Sequence, residues 1–128
     1  MSDIPNDLHY AKTHEWIKLE SDNIARVGIS DFAQSQLGDL VYVELPSIGD
    51  KVDTSHSCAV VESVKAASDL FAPVSGIITA VNTDLTDSPE LVNDEPYESW
   101  IFCLKIDDLE ALKTLMSAND YQTLTNDS

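Results

Sequence analysis

The stretch Val61-Glu62-Ser63-Val64-Lys65-Ala66-Ala67-Ser68-Asp69 sets a single lysine between two strand-like runs. Upstream, Cys58, Val60 and Ser63 belong to a mostly apolar run. Downstream, Leu70, Phe71, Val74, Ile77, Ile78 and Val81 resume β-type residues, interrupted by Pro73 and Gly76. Runs of β-branched and aromatic residues bounded by turn formers read as strands. The spacing therefore predicts a β-hairpin whose tip holds Lys65 out in solvent, and makes Lys65 the first candidate for this chain's chemistry.

Three readings of such a lysine compete. An unperturbed lysine titrates at about 10.4 and is a poor nucleophile at neutral pH. An enzyme that uses the amine directly shifts it downward by burial or with a second cation, whereas this segment supplies Glu62 and Asp69. A solvated surface lysine is the ordinary case. Covalent acylation is the third: it turns an ammonium into a neutral amide and leaves a long tether ending in the attached group.

Working outward, Glu15 to Leu19 and Ile24 to Ile29 pair around the polar turn Ser21-Asp22-Asn23. Ser30 reads as the N-cap of a short helix from Asp31 to Leu37, which Gly38 ends. Leu40 to Leu45 resumes a strand, and Pro46-Ser47-Ile48-Gly49-Asp50 turns the chain. From Asn82 to Glu98 the composition predicts a loop with one short helix near Pro89 to Val92. Trp100, Phe102, Leu104 and Ile106 alternate, which predicts one core-facing strand side. Leu109, Leu112, Leu115 and Met116 then fall on one helical stripe after the caps Asp107 and Asp108. A second short helix is expected from Ala118 to Leu124, followed by frayed final residues.

Composition narrows the function classes. At 128 residues with 43% hydrophobic content, the chain can bury a core without metal or disulfide support. Its 23 acidic against 7 basic residues give a formal net charge of −16, which excludes a phosphate-backbone ligand needing clustered cations. Such acidity serves solubility, or steering toward basic docking surfaces. Cys58 and Cys103 match no metal or redox spacing, and His9, His14 and His56 lack the paired spacing of a zinc site. No metal site and no catalytic residue set is expected. Met1 to Asp7 lacks the pattern of a targeting peptide, and no run approaches the roughly 20 apolar residues that span a bilayer. The expectation is a bacterial cytoplasmic protein rather than a mitochondrial or membrane one.

Val60 to Leu70, followed by Ala72-Pro73-Val74-Ser75-Gly76, resembles the lipoylation site of the H proteins of the glycine cleavage system. His14-Glu15-Trp16, Val27-Gly28-Ile29-Ser30-Asp31, Ala33-Gln34, Leu37-Gly38-Asp39, Val43-Glu44-Leu45-Pro46, Gly49, Leu91-Val92-Asn93, Pro96-Tyr97 and Trp100 match the same family in order. The likeness runs from about Tyr10 to Tyr121. It implies a mainly β, lipoyl-type barrel-sandwich hybrid of two small antiparallel sheets, with helices after Ser30 and at the C-terminus. The expected organisation is one carrier domain over 1–128, with an N-terminal extension at 1–9 and a C-terminal helical segment at 107–125.

The same resemblance implies lipoic acid in amide linkage on Lys65, placed there by a lipoyl-attaching enzyme that depends on Glu62, Gly49 and Gly76. It implies a carrier rather than an enzyme, shuttling an aminomethyl group from glycine decarboxylase (P protein) to a tetrahydrofolate-dependent aminomethyltransferase (T protein). Dihydrolipoamide dehydrogenase (L protein) would reoxidise the arm. Thr13, Glu15 and Asp69 are expected to form the polar wall of a cleft for the loaded arm, through charge-assisted hydrogen bonds. An H-like relay passing lipoyl groups to other carriers needs the same lysine and is the alternative. Lipoyl or biotinyl modules of larger enzymes fit less well, because biotin carriers flank their lysine with methionines where this chain has Val64 and Ala66. Two stretches depart from the family: Thr54 to Ala59 lacks the usual lysines and glycines, and Glu98-Ser99 lacks the glycine before Trp100.

Overall fold

The computed structural model describes residues 5–21 and 23–126. The chain begins with β1 (His9–Tyr10), β2 (Glu15–Ser21) and β3 (Ile24–Ile29), then α1 (Asp31–Leu37). Next come β4 (Leu40–Glu44), β5 (Lys51–Val52), β6 (Ser57–Ser63), β7 (Ala67–Phe71) and β8 (Gly76–Val81). Two one-turn helices, α2 (Asp84–Asp87) and α3 (Leu91–Asp94), precede β9 (Phe102–Ile106), a 3-10 helix (Leu109–Thr114) and α4 (Ala118–Asn126). Six strands form one sheet in the order β1-β2-β3-β9-β8-β5, and β4-β6-β7 form the second. The pairings are antiparallel, and the two sheets enclose one core as a barrel-sandwich hybrid.

Alternation along each strand builds that core, because successive side chains point to opposite faces. Ile17, Val27, Val43, Val61, Leu70, Ile78, Phe102 and Leu104 come from both sheets and are all at most 2% exposed. Each such side chain contributes about 1.5–3 kcal/mol by leaving water. A second cluster gathers Leu8, Tyr10, Trp16, Ala118 and Tyr121, in which the rings of Tyr10 and Tyr121 stack with centroids 4.6 Å apart. It fastens α4 to the first strands.

The helix after Ser30 forms as its signals require. Ser30 Oγ accepts from the Ala33 amide at 3.1 Å, and Gly38 closes the helix with its N–H on the Gln34 carbonyl at 3.0 Å. Gly38 adopts φ 82°, a conformation costly for any residue with a Cβ.

Four expectations change. The loop after Val81 holds two short helices rather than one, because Leu85 and Val92 are both fully buried and each needs a turn of helix to reach the core. Trp100 lies outside β9 and is half-buried. Its carbonyl accepts from Asn82 Nδ2 at 2.8 Å and its ring meets the Arg26 guanidinium at 5.5 Å, while the fully buried Ile101 takes the core position beside it. The stripe at Leu109 is a 3-10 helix, capped by Asp108 on the Glu110 amide; Leu112 is buried but Leu109 is 44% exposed. Met116 leaves the helix altogether and exchanges two backbone hydrogen bonds with Tyr10, at 2.9 and 2.8 Å. Of the expected N-terminal extension, Leu8 is buried and His9 already belongs to β1. α4 runs to Asn126, past the end expected at Leu124, so two of the residues expected to fray are helical; residues 1–4 and 127–128 lie outside the described residues.

Candidate functional site

Lys65 stands at the tip of the β6–β7 hairpin, whose register runs from Ser57↔Phe71 at the base to Glu62↔Ala67 at the top. Ser63 ties the turn. Its amide donates to the Ala66 carbonyl at 2.8 Å, and its Oγ accepts from the amides of Lys65 and Ala66, both at 3.1 Å. Serine at the first position of a turn satisfies amides that the ladder no longer reaches. Val64 and Lys65 are left exposed.

The tip does not hang free. The Val64 amide donates to the Asp39 carbonyl at 3.1 Å, and Lys65 Nζ donates to the Gln36 carbonyl at 2.9 Å, at the end of α1. Asn93 fixes that end: its Nδ2 donates to Gln34 Oε1 at 2.9 Å and to the Gly38 carbonyl at 2.8 Å, while its Oδ1 accepts from the Leu40 amide at 2.8 Å. The hairpin, α1 and α3 thus meet beside the lysine.

Strand alternation sorts the neighbouring residues onto two faces. Val43, Val61, Ser68 and Leu70 turn inward, whereas Tyr42, Glu62 and Ala67 form one outward row and Glu44, Val60 and Asp69 the next. Glu62 is exposed in the row just below the tip.

The three residues expected to wall a cleft are not brought together as one surface. Glu15 is 1% exposed; one carboxylate oxygen accepts from the Thr13 hydroxyl and the other from the Phe71 amide at 3.2 Å. Burial pushes its carboxyl pKa above the usual range, against the pull of those hydrogen bonds. Glu15 therefore stitches β2 to the edge of β7 beneath the surface instead of lining it. Asp69 is exposed on the outward face, turned away from Ser68 by the alternation of the strand.

A cleft does lie on the other side of the hairpin. It has a volume of about 380 Å³ and is lined by Thr13, His14, Phe32, Gln36, Leu37 and Ser68. His14 reaches it with φ 77°, held by Nδ1 against the Tyr121 hydroxyl at 2.7 Å; that hydroxyl also meets Ser30 Oγ, the α1 cap, at 2.6 Å. A non-glycine residue at such a φ persists only where its surroundings over-determine it. Burial lowers the His14 pKa and pushes that of Tyr121 up to about 12. Thr13 is the expected wall residue that the cleft includes.

Gly49 and Gly76 sit together but away from the tip. They lie on the β5–β8 pairing, where the Gly49 amide donates to the Ile78 carbonyl at 2.8 Å and Gly76 opposes Val52 and Ile106. Gly76 is required by close approach rather than by a turn, since a Cβ there would stand 2.3 Å from the Lys105 carbonyl oxygen. The glycine beside the lysine is Gly38, where a Cβ would lie 3.4 Å from Lys65 Cε.

The two departures from the family pattern are pinned. Thr54 and Ser55 donate their amides to Ser75 Oγ at 3.0 Å and the Ala72 carbonyl at 2.8 Å. Ser99 is buried and donates its hydroxyl to the Leu91 carbonyl at 2.8 Å. Ser63, Asn93, Gln36 and His14 join the site only in the folded chain. A turn serine before the lysine was a usable signal, but the tertiary contacts of Asn93 and Gln36 left none.

Both cysteines are free thiols, and the described residues contain no cluster of three or more potential metal ligands. No described helix is long and apolar enough to cross a membrane.

The model of the family described as Glycine cleavage H-protein matches residues 8–128. The glycine cleavage system H protein of Xanthomonas euvesicatoria pv. vesicatoria is 55% identical, covering 99% of this chain and 98% of that one. The H protein of Methylococcus capsulatus is 52% identical, covering 99% and 100%. The crystal structure of a glycine cleavage system H protein from Mycobacterium marinum superposes with a TM-score of 0.84 at 36% identity, over 96% of this chain and 99% of that one. With sequence, fold and a solvent-held lysine hairpin in agreement, the chain belongs to the glycine cleavage H-protein family, a lipoyl carrier component rather than a catalyst.

Proposed function

We propose that Lys65 carries lipoic acid in amide linkage and that the chain, as one carrier domain, moves an aminomethyl group from glycine decarboxylase (P protein) to the tetrahydrofolate-dependent aminomethyltransferase (T protein). Dihydrolipoamide dehydrogenase (L protein) completes the cycle. The observation that carries this reading is the exposed amine at the apex of a hairpin tied by Ser63, within a family whose relatives bear the glycine cleavage name. Bound there, the cofactor supplies a dithiolane that accepts and releases a carbon unit and two electrons.

The residues present fit that group. The tip presents the amine away from the core, so an attaching enzyme can enclose it. Glu62, exposed one row below, offers that enzyme a charge to read, whereas Gly49 and Gly76 act through the shape of the β5–β8 pairing. The cleft beside Gln36 and Ser68 gives the tethered group a place to fold, with Thr13 and His14 as polar contacts and Phe32 and Leu37 as apolar ones. Glu15 positions Thr13 from below. Exclusion of water between visits protects a reactive load. The bacterial relatives favour the cytoplasm as the place of work.

Intact mass after expression with lipoate, beside a Lys65→Arg control, tests attachment. The expected result is a lipoyl increment confined to the parent chain; no increment, or the same increment in both, overturns it. Adding the three enzymes and glycine separates the shuttle from a lipoate relay: a relay accepts the cofactor but supports no glycine breakdown. Timing ammonia release from the loaded chain then tests the cleft. Glu15→Ala, which frees Thr13, is expected to speed it and Asp69→Asn to leave it unchanged; if Asp69→Asn alone speeds it, the outward face holds the load instead.

A further inference from the structure

We propose that the unmodified Lys65 side chain is a latch that fastens the hairpin tip to the C-terminal turn of α1, and that acylation releases it. The inference rests on the attachment reading above and concerns what that modification does to the protein around it.

The last carbonyls of a helix have no partners within the helix and form the negative end of its dipole. α1 has no basic residue of its own in the last turn. The cation comes from Lys65, 29 residues further along the chain, whose Nζ donates to the Gln36 carbonyl at 2.9 Å. The stem of the lysine passes over Gly38, in van der Waals range of where a Cβ would stand. The receiving segment is held in place: Asn93 bonds Gln34, Gly38 and Leu40, and the Asp39 carbonyl accepts from Val64. The tip is thus gripped at two adjacent points, one through a backbone amide and one through the lysine ammonium.

Acylation removes the ammonium point. The amine, having given up one proton, attacks the carbonyl carbon of an activated acyl donor such as an acyl adenylate. A nitrogen–carbon bond forms, the carbon–oxygen bond to phosphate breaks, the nucleotide monophosphate leaves, and a second proton is lost from nitrogen. The product is a neutral amide with one N–H, which no longer answers the helix end as a cation. Gln36 and Leu37 also wall the cleft. Release therefore clears the lysine stem from the rim of the space into which the tethered group would fold, and loosens the α1–β4 junction only in the modified protein.

Amide hydrogen exchange at neutral pH and low salt, read on the unmodified chain, the lipoylated chain and Lys65→Met, tests the latch. The amides of Leu37, Gly38, Asp39 and Val64 are expected to exchange about two- to fivefold faster in both altered forms, by loss of a charge–dipole contact. Core amides such as those of Ile78 and Leu104 should not change. Unchanged rates at the four positions, or a rise in only one altered form, overturn the proposal. If a competent ligase leaves Lys65 unmodified, the attachment reading falls, while Lys65→Met against the parent chain still decides whether the lysine holds α1.

Discussion

Replacing Glu15 tests how the two sheets are joined beneath the site. Its carboxylate is 1% exposed and accepts from the Thr13 hydroxyl with one oxygen and the Phe71 amide with the other. Glu15→Ala removes both acceptors and leaves a half-buried edge amide without its partner, which costs about 1–3 kcal/mol, with a further cavity cost for the lost side chain. Glu15→Gln keeps an oxygen for Phe71 and turns its amide toward Thr13, so it is expected to cost less than about 1 kcal/mol at neutral pH. The two variants also differ from the parent in pH dependence. Burial raises the folded-state pKa of Glu15 above 4.5, so the stability tied to this group is fully present below pH 4.5 and is lost as pH rises through the raised value. Glutamine does not titrate. Subtracting urea unfolding free energies of Glu15→Gln from those of the parent, from pH 4 to pH 7.5, should therefore give a difference that falls as pH rises. A flat difference, or Glu15→Ala within about 0.5 kcal/mol of the parent, would refute the buried sheet-to-sheet role.

Other consequences follow from single contacts. Gly76→Ala should destabilise by about 1–3 kcal/mol or more in urea unfolding, because its Cβ meets the Lys105 carbonyl at 2.3 Å. Gly49→Ala, with φ 96° but open space around it, should cost only about 1 kcal/mol; equal costs would contradict the packing account. The Cys58 thiol, pushed up to about 12 chiefly by burial, should resist iodoacetamide at pH 8 in the folded chain and react at an ordinary rate in urea, as followed by mass. Lowered by burial, the His14 pKa means that its share of stability is present above pH 6.5 and lost as pH falls through the lower value; His14→Gln should flatten that part of the acid unfolding curve.

Local signals settled much of this molecule. The run around Lys65 specified a hairpin and its tip, and Ser30 with Gly38 specified both ends of α1, because caps and turns are decided by a few neighbouring residues whose conformational needs are strong. Family motifs in order point to the fold and single out Lys65. Where the pattern failed, the missing term was a distant partner. Trp100 reads as a strand residue by alternation, yet Asn82 and Arg26 hold it outside β9. Glu15 is expected in the wall of a cleft, yet folding brings Phe71 and Thr13 to its two oxygens and closes it from water. Asp69 has the right composition for a cleft wall, but pairing with Val60 turns it to the opposite face. Gln36, Gly38 and Asn93 gather near the lysine only because the hairpin, α1 and α3 pack against one another. Composition and spacing determine which residues can form a turn, a cap or a strand; which carbonyl an ammonium finds, and which acid is shut away from solvent, depends on chain segments far apart in sequence, and only the packed sheets decide it.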